Sequence, residues 1–351
     1  MAEKLGPLWE LTLARLREFI REPAAIFWTF GFPVLLAIGL GIAFRSDPQA
    51  SVAVALTGEG PAIERAAEIL DGAESVAVAR MSVEESAVAL RKGKVDLVVT
   101  GELAGGKHAF VYRYDPLQPS SRGARLEVDA LLQQGLGRVD VADVEEQTAI
   151  EQGSRYIDFL IPGIIGLNVM GSSMWGIGYA VVLARRRKLL KRLAVTPMRR
   201  SHYMLSYIMS RLVFLLAEVI ALVAFGWVVF GVAVQGSLLW LGLVAFCGSA
   251  AFTGTALLVA SRTETTEVAA GLMNAFMLPM WILSGAFFSY ERFPEVIQPV
   301  IKALPLTALN DALREVINEG ATITAILPEL GVLMAWASLG YLLALKFFKW
   351  T

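Results

Sequence analysis

The run Arg185-Arg186-Arg187-Lys188-Leu189-Leu190-Lys191-Arg192-Leu193-Ala194-Val195-Thr196-Pro197-Met198-Arg199-Arg200 decides how the rest of the chain is read. It holds eight cationic side chains and no acidic one, and it lies between two long apolar segments. Charge at this density cannot sit in hydrocarbon, so the run lies in water at a membrane face. An excess of Lys and Arg assigns that face to the cytoplasm. Leu189, Leu190 and Leu193 fall at helical spacing among the charges, and Thr196-Pro197 ends the run. A short cytoplasmic helix over 185–203 is therefore predicted, of a kind suited to docking a soluble partner.

Composition agrees. Hydrophobic residues make up 56% of the 351 and charged residues 18%, and mean hydropathy is +0.57, well off the soluble average. The net charge of −1 hides a segregation: Arg45 to Arg155 carries 12 cations against 18 anions, a net of −6, whereas the basic run is +8. Cys247 is the one cysteine, so disulfides cannot hold the chain together. With only His108 and His202 and no Cys/His cluster, neither a structural zinc nor a haem site is expected.

Working outward, residues 1–23 read as an interfacial amphipathic helix. Leu5, Trp9, Leu13, Leu16 and Ile20 fall within about 80° of one another on a helical wheel, with Glu10, Arg17, Glu18, Arg21 and Glu22 opposite. Pro23 breaks it, and 24–44 make a first span, since about twenty apolar residues cross a core of ~30 Å. A cleaved signal peptide is the competing reading. The apolar stretch is too long, begins too far in and lacks a small-residue cleavage site, so a retained anchor is predicted. Five more spans follow at 157–184, 204–230, 238–260, 267–288 and 325–346. The uncharged Gly231–Ser237 falls outside, while Ser261–Glu267 with Arg262, and the C-terminus with Lys346 and Lys349, fall inside. Both termini are thus expected in the cytoplasm of a prokaryotic cell, with the chain in its cell membrane.

Residues 45–156 read as a small α/β domain on the outer side. Strands are expected at 51–56, 75–80, 95–99 and 109–112 and helices at 61–70, 83–91 and about 121–151, with two early right-handed crossovers. Residues 287–320 contain Pro294, Pro299 and Pro305 and eight charges, which forbid a crossing. Their large apolar side chains forbid full solvation, so a re-entrant outer helical hairpin is predicted. The fold class is an α-helical polytopic membrane protein with six spans, this hairpin and the α/β domain.

At this point the chain resembles the permease subunits of ATP-binding-cassette (ABC) exporters of the second type, the subgroup with a large domain after the first span. The resemblance runs nearly end to end. It rests on the interfacial helix, the outer domain, Leu193 to Pro197, Ile282-Leu283-Ser284-Gly285-Ala286-Phe287-Phe288, Leu304-Pro305-Leu306-Thr307 and Asp311-Ala312-Leu313-Arg314. Many members carry Glu and Gly-Thr where this chain has Arg186, Lys188 and Leu189, so its docking chemistry is expected to be more electrostatic. The resemblance implies two permeases, as homodimer or paralogous heterodimer, with two cytoplasmic ABC ATPase subunits that bind ATP and Mg. No cofactor is expected on this chain, and its other partners are membrane lipid and a small-molecule cargo, not nucleic acid. Gly101 to His108 is the nearest approach to a phosphate loop, but His108 stands where a magnesium-binding Ser or Thr belongs, and the stretch reads as a hairpin turn.

Three groups of candidates follow. Arg186, Arg187, Lys188, Leu190, Lys191, Arg192, Thr196 and Pro197 form the ATPase-coupling set, the charges also serving to hold the loop inside. Asn168, Ser172, Ser173, Trp175, Glu218, Asn274 and Met277 either line a translocation path or are packing residues between helices. Glu218, with Arg211 two turns earlier, is either a proton relay or a structural hydrogen-bonding group. Ser284, Gly285, Phe287, Phe288, Phe293 and Pro305 are candidates for an outer gate, the alternative being a static cap. Met and aromatic residues suit an amphiphilic cargo such as a drug, antibiotic or lipid-like molecule. An ATP-driven exporter subunit working by alternating access is the expected function. The runner-up is a non-transporting membrane sensor or scaffold, and an enzyme is not expected, because clustered His, Cys or paired carboxylates are lacking in the spans.

Overall fold

Six stretches are long and apolar enough to cross a membrane as helices: α2 (Pro23–Ala43), α6 (Tyr156–Leu183), the Met209–Phe230 part of α7 (Arg200–Phe230), α8 (Leu238–Arg262), α9 (Thr266–Leu283) and α12 (Leu327–Phe347). Before them runs α1 (Ala2–Ile20), and between the last two spans lie α10 (Gln298–Lys302) and α11 (Pro305–Asn318). The computed structural model describes residues 2–44, 51–104, 107–116, 118–138, 155–186, 200–263 and 265–347. The chain divides into two units, Ser46–Ala149 and the remainder.

In the helical unit α6 and α8 form the centre. Over the 18-residue apolar stretch of each, two thirds (67%) is buried inside the protein, against 11% for the corresponding stretch of α2. Small residues let these helices approach. A Cβ at Gly340 of α12 would sit 2.6 Å from the Gly254 carbonyl carbon of α8, so the two backbones cross almost in contact. Gly340→Val is therefore expected to cost about 1–3 kcal/mol through overpacking, read as a lower melting temperature in detergent. Gly331→Val in the same helix, where nothing lies within 4 Å, should leave it nearly unchanged. Equal losses at both positions would overturn the close-crossing explanation.

α1 packs on α7 with Phe19 against Phe214, ring centroids 4.3 Å apart, while Leu8 and Thr12 are buried. Trp9 and Ile20, on the apolar stripe of the wheel, remain exposed. Two helices contain a wide π turn, Phe27–Gly31 in α2 and Met174–Tyr179 in α6, and such turns cluster at functional places.

The fifth span differs from its expected limit of 288. Helix α9 stops at Leu283, and Gly285 follows with φ +73°, a left-handed conformation that favours glycine. Residues 284–288 thus leave the helix and lead into the hairpin.

The second unit is built on a sheet with strand order β2-β1-β3-β4. β1 (Val52–Thr57) lies parallel to β2 (Val76–Arg80) and to β3 (Leu97–Ala104), and β4 (Lys107–Arg113) returns antiparallel to β3. Alternation along the strands explains the two faces. Val54, Leu56, Leu97 and Val99 bury against α3 (Pro61–Asp71) and α5 (Pro119–Gly135), whereas Ala55 and Val98 meet α4 (Val83–Arg91) through Ala89. Ser82 and Glu85 cap α4 reciprocally. The Gly101–His108 stretch joins two antiparallel strands, so it lacks the strand-to-helix setting of a phosphate loop.

Candidate functional site

The basic run is anchored where it begins. Helical pitch carries past α6 to Arg186, whose Nη1 donates to Thr266 Oγ1 at 2.9 Å and lies 3.8 Å from a Glu267 carboxylate oxygen. Thr266 and Glu267 open α9. Both charged groups are more than half exposed, so the pair adds little stability. Its consequence is positional: it ties the first basic residues to the start of the fifth span. Arg187, Lys188, Leu190, Lys191, Arg192, Thr196 and Pro197 lie outside the described residues.

In the middle of the bundle a polar cluster joins three helices. Arg211 of α7 pairs with Glu218 Oε1 two turns further along the same helix. Its Nη2 donates to Ser172 Oγ at 3.0 Å and Ser173 Oγ at 2.9 Å on α6, and its Nε donates to Ser249 Oγ at 3.1 Å on α8. The other carboxylate oxygen, Oε2, accepts from Asn168 Nδ2 at 3.1 Å and from Ser172 Oγ at 2.7 Å. Glu218 is fully buried and Arg211 nearly so. A lone charge here would be costly, and a pair with its remaining positions hydrogen-bonded is the arrangement that makes it tolerable. The cluster is a neutral clasp.

The candidates for the path therefore do not share one surface. Asn168, Ser172, Ser173 and Glu218 meet in the clasp. Trp175 lies partly buried in the π turn of α6, 6.3 Å from the Tyr179 ring. Met277 is buried in the core facing Gly171, whereas Asn274, one turn away, is exposed. Ser249 and Arg211 complete the clasp. Arg211 was legible as a charge inside an apolar run, but Ser249 resembles any small residue of a span.

The hairpin is bound into the bundle by side chains reaching backbone carbonyls. The α11 residues Leu306 to Asn310, Ala312, Leu313, Val316 and Ile317 are buried, and the helix packs among α6, α8 and α12. Arg314 lies with its guanidinium carbon 3.6 Å from the Phe159 ring centroid. It donates to the carbonyls of Phe159 and Gly285 and pairs with Asp311 at 3.5 Å. Asn310 Nδ2 donates to the Ser284 carbonyl at 3.3 Å, Asn318 Nδ2 to the Asp158 carbonyl at 2.9 Å, and Tyr156 Oη to the Phe287 carbonyl at 2.9 Å. Ser284, Gly285 and Phe287 are thus each held. The Phe288 and Phe293 rings meet at a tilt of 40° with centroids 6.1 Å apart, and Pro305 is buried in the first turn of α11. Burial pushes the Asp311 carboxyl up to about 6 against the pull of Arg314. Burial, followed by Glu329, Glu319 and Asp311, pushes Glu315 up to about 7. Nothing in the sequence pattern signals that Arg314, Asn310 and Asn318 act as clamps.

The profile of the ABC-2 type transporter family matches residues 131–318, over half of the chain. The chain belongs to the ABC-2 type transporter family. The match takes in the basic run, the clasp and the hairpin, while α2, α12 and most of the α/β unit lie outside it. A relative in Bacillus subtilis (strain 168), the linearmycin resistance permease protein LnrN, is 25% identical over 185 residues. The alignment covers 50% of this chain and 45% of that protein, so the chain spans about half the length of the curated relative it matches. The family expected from Leu193 to Pro197 and from the motifs after the fifth span is thus the family found.

Proposed function

We propose that the chain is the membrane subunit of an exporter that moves an amphiphilic small molecule out of the cytoplasm or inner leaflet by alternating access. ATP and magnesium belong to a separate ATPase subunit. The observation that carries this reading is the bond from Arg186 to Thr266. Arg186, near the start of the basic run, is tied directly to the first turn of α9, which is where a push on that run would be received. The surface that takes that force comprises Arg186, Arg187, Lys188, Leu190, Lys191, Arg192, Thr196 and Pro197. In this reading that surface and both termini are cytoplasmic, and the unit Ser46–Ala149 is outside.

A second permease copy completes the path. The little-buried α2 and the exposed apolar side chains Val268, Leu272, Leu278, Trp281 and Ile282 of α9 offer surface for it. Trp175, Asn274 and Met277 border the path, and the Asn168–Ser172–Glu218 clasp steadies the helices beside it. The outer gate comprises Ser284, Gly285, Phe287, Phe288, Phe293 and Pro305. Because Ser284, Gly285 and Phe287 are bonded to α6 and α11, it moves together with α11. The relative's name speaks of resistance, and outward movement is consistent with that.

Tagged protein solubilised from its own cell membrane is expected to bring down an ABC-type ATPase, and the eluate to hydrolyse ATP. Inside-out vesicles bearing the complex should accumulate an amphiphilic fluorescent dye when ATP is added. An eluate without ATPase activity and vesicles that take up no dye would together overturn the exporter reading.

A further inference from the structure

At the end of the bundle where Arg186 meets Thr266, helices α8, α9 and α12 diverge and leave a cleft of about 410 Å³. That volume falls in the range of about 300–1,000 Å³ typical of small-molecule sites. Its walls are mostly apolar, from Leu258 and Val259 of α8, Val268 and Leu272 of α9, and Phe347 of α12, with Ser261 and Thr263 adding hydroxyl groups. Val268 and Leu272 are about half exposed, on a helix long and apolar enough to cross the membrane. The cleft therefore opens sideways toward hydrocarbon as well as toward water.

Arg262 lines the cleft, and Lys346 lies beside Phe347, one of its wall residues. The guanidinium carbon of Arg262 lies 4.7 Å from the Phe347 ring centroid, and the Lys346 ammonium lies 6.0 Å from the same centroid. Two cations thus share one ring, and among the described residues neither has a carboxylate partner. Elsewhere in this unit four arginines are paired with carboxylates: Arg155 with Asp158, Arg186 with Glu267, Arg211 with Glu218 and Arg314 with Asp311. Two cations beside one ring of an apolar cleft, without a carboxylate partner among the described residues, suit an anion with a hydrocarbon tail.

We propose that this cleft binds an anionic phospholipid from the surrounding leaflet, its phosphate at Arg262 and Lys346 and one acyl chain along Leu258, Val268 and Leu272. A basic pocket between spans at a membrane face is suited to such head groups. A zwitterionic lipid is disfavoured because its ammonium meets two cations. A water-soluble phosphate is disfavoured because it leaves the apolar walls uncovered. Seated there, the lipid braces the first turns of α9, the turns that Arg186 also holds. The inference requires that α8, α9 and α12 cross a membrane, and it is independent of the cargo and of which side the basic run faces.

Native mass spectrometry of the delipidated protein with added phosphatidylglycerol tests this. One lipid should be retained, and the Arg262→Gln/Lys346→Gln double variant should weaken retention at least tenfold. Arg292→Gln, which removes a cation from the hairpin, should not. Leu272→Trp fills the cleft while leaving both cations, and it too should lower retention, which keeps the test decisive if the double variant folds poorly. Phosphatidylcholine should be retained at least tenfold more weakly, and glycerol 3-phosphate should not compete. Equal retention by parent, double variant and Leu272→Trp overturns the site. Equal retention of phosphatidylcholine overturns the charge selectivity, and competition by glycerol 3-phosphate overturns the lipid assignment.

Discussion

Arg211→Met is expected to lower the stability of the purified protein by about 3–5 kcal/mol, the usual loss when one member of a buried ion pair is removed and the other stays charged. Glu218 then has Asn168 and Ser172 as its remaining partners, and neither carries charge. Glu218→Leu should cost a similar amount by stranding Arg211. The double variant Arg211→Met/Glu218→Leu should recover most of the loss, since an apolar pair of similar volume is often as stable as the ionic one. Melting in detergent and abundance in the membrane read out the cycle. Additive losses in the double variant would show that the two side chains do not act as a unit. The cycle also separates the two readings of Glu218. A structural clasp regains transport when it regains the fold, whereas a proton relay stays inactive in the refolded double variant.

Reversing Lys188, Lys191 and Arg192 to Glu should abolish coupling while leaving insertion intact. Like-charge contact at a docking surface costs several kcal/mol, and at about 1.4 kcal/mol per factor of ten that is a loss of two orders of magnitude or more in affinity for the ATPase. Arg185, Arg186, Arg187, Arg199 and Arg200 remain, enough positive charge to keep the loop on its own side. Cargo-stimulated ATP hydrolysis by the reconstituted complex measures the effect. Normal stimulation in the triple variant would remove these residues from the coupling surface.

The spans were legible because each is a long apolar run closed by charge, Gly or Pro, a pattern that needs no knowledge of neighbours. The strands were legible from the alternation in Val52 to Leu56, although β3 and β4 extend further than expected because they pair with each other in register from Val98↔Arg113 to Ala104↔Lys107. Tertiary detail was hidden. Residues 284–288 continue the apolar pattern of the fifth span, yet they leave the helix at Gly285, and their carbonyls are claimed by Asn310, Arg314 and Tyr156. Asn168 and Glu218 each stood out as polar groups in apolar helices. Their meeting across 50 positions of sequence depends on how α6 and α7 rotate against each other, which no single helix encodes. Asn274 and Met277 appeared equivalent for the same reason, and the packing of α9 separates them.

The clasp also bears on how the membrane potential acts on this protein. A unit charge moved across the bilayer exchanges about 2.3 kcal/mol per 100 mV with the field. Arg211 and Glu218 are the buried charged residues among the described parts of the six spans that lie away from a helix end, and they sit on one helix in direct contact. Displaced together as an ion pair, they carry no net charge, so voltage does almost no work on them. In the proposed export cycle, moving this pair therefore costs the same free energy in a polarised cell and a depolarised one.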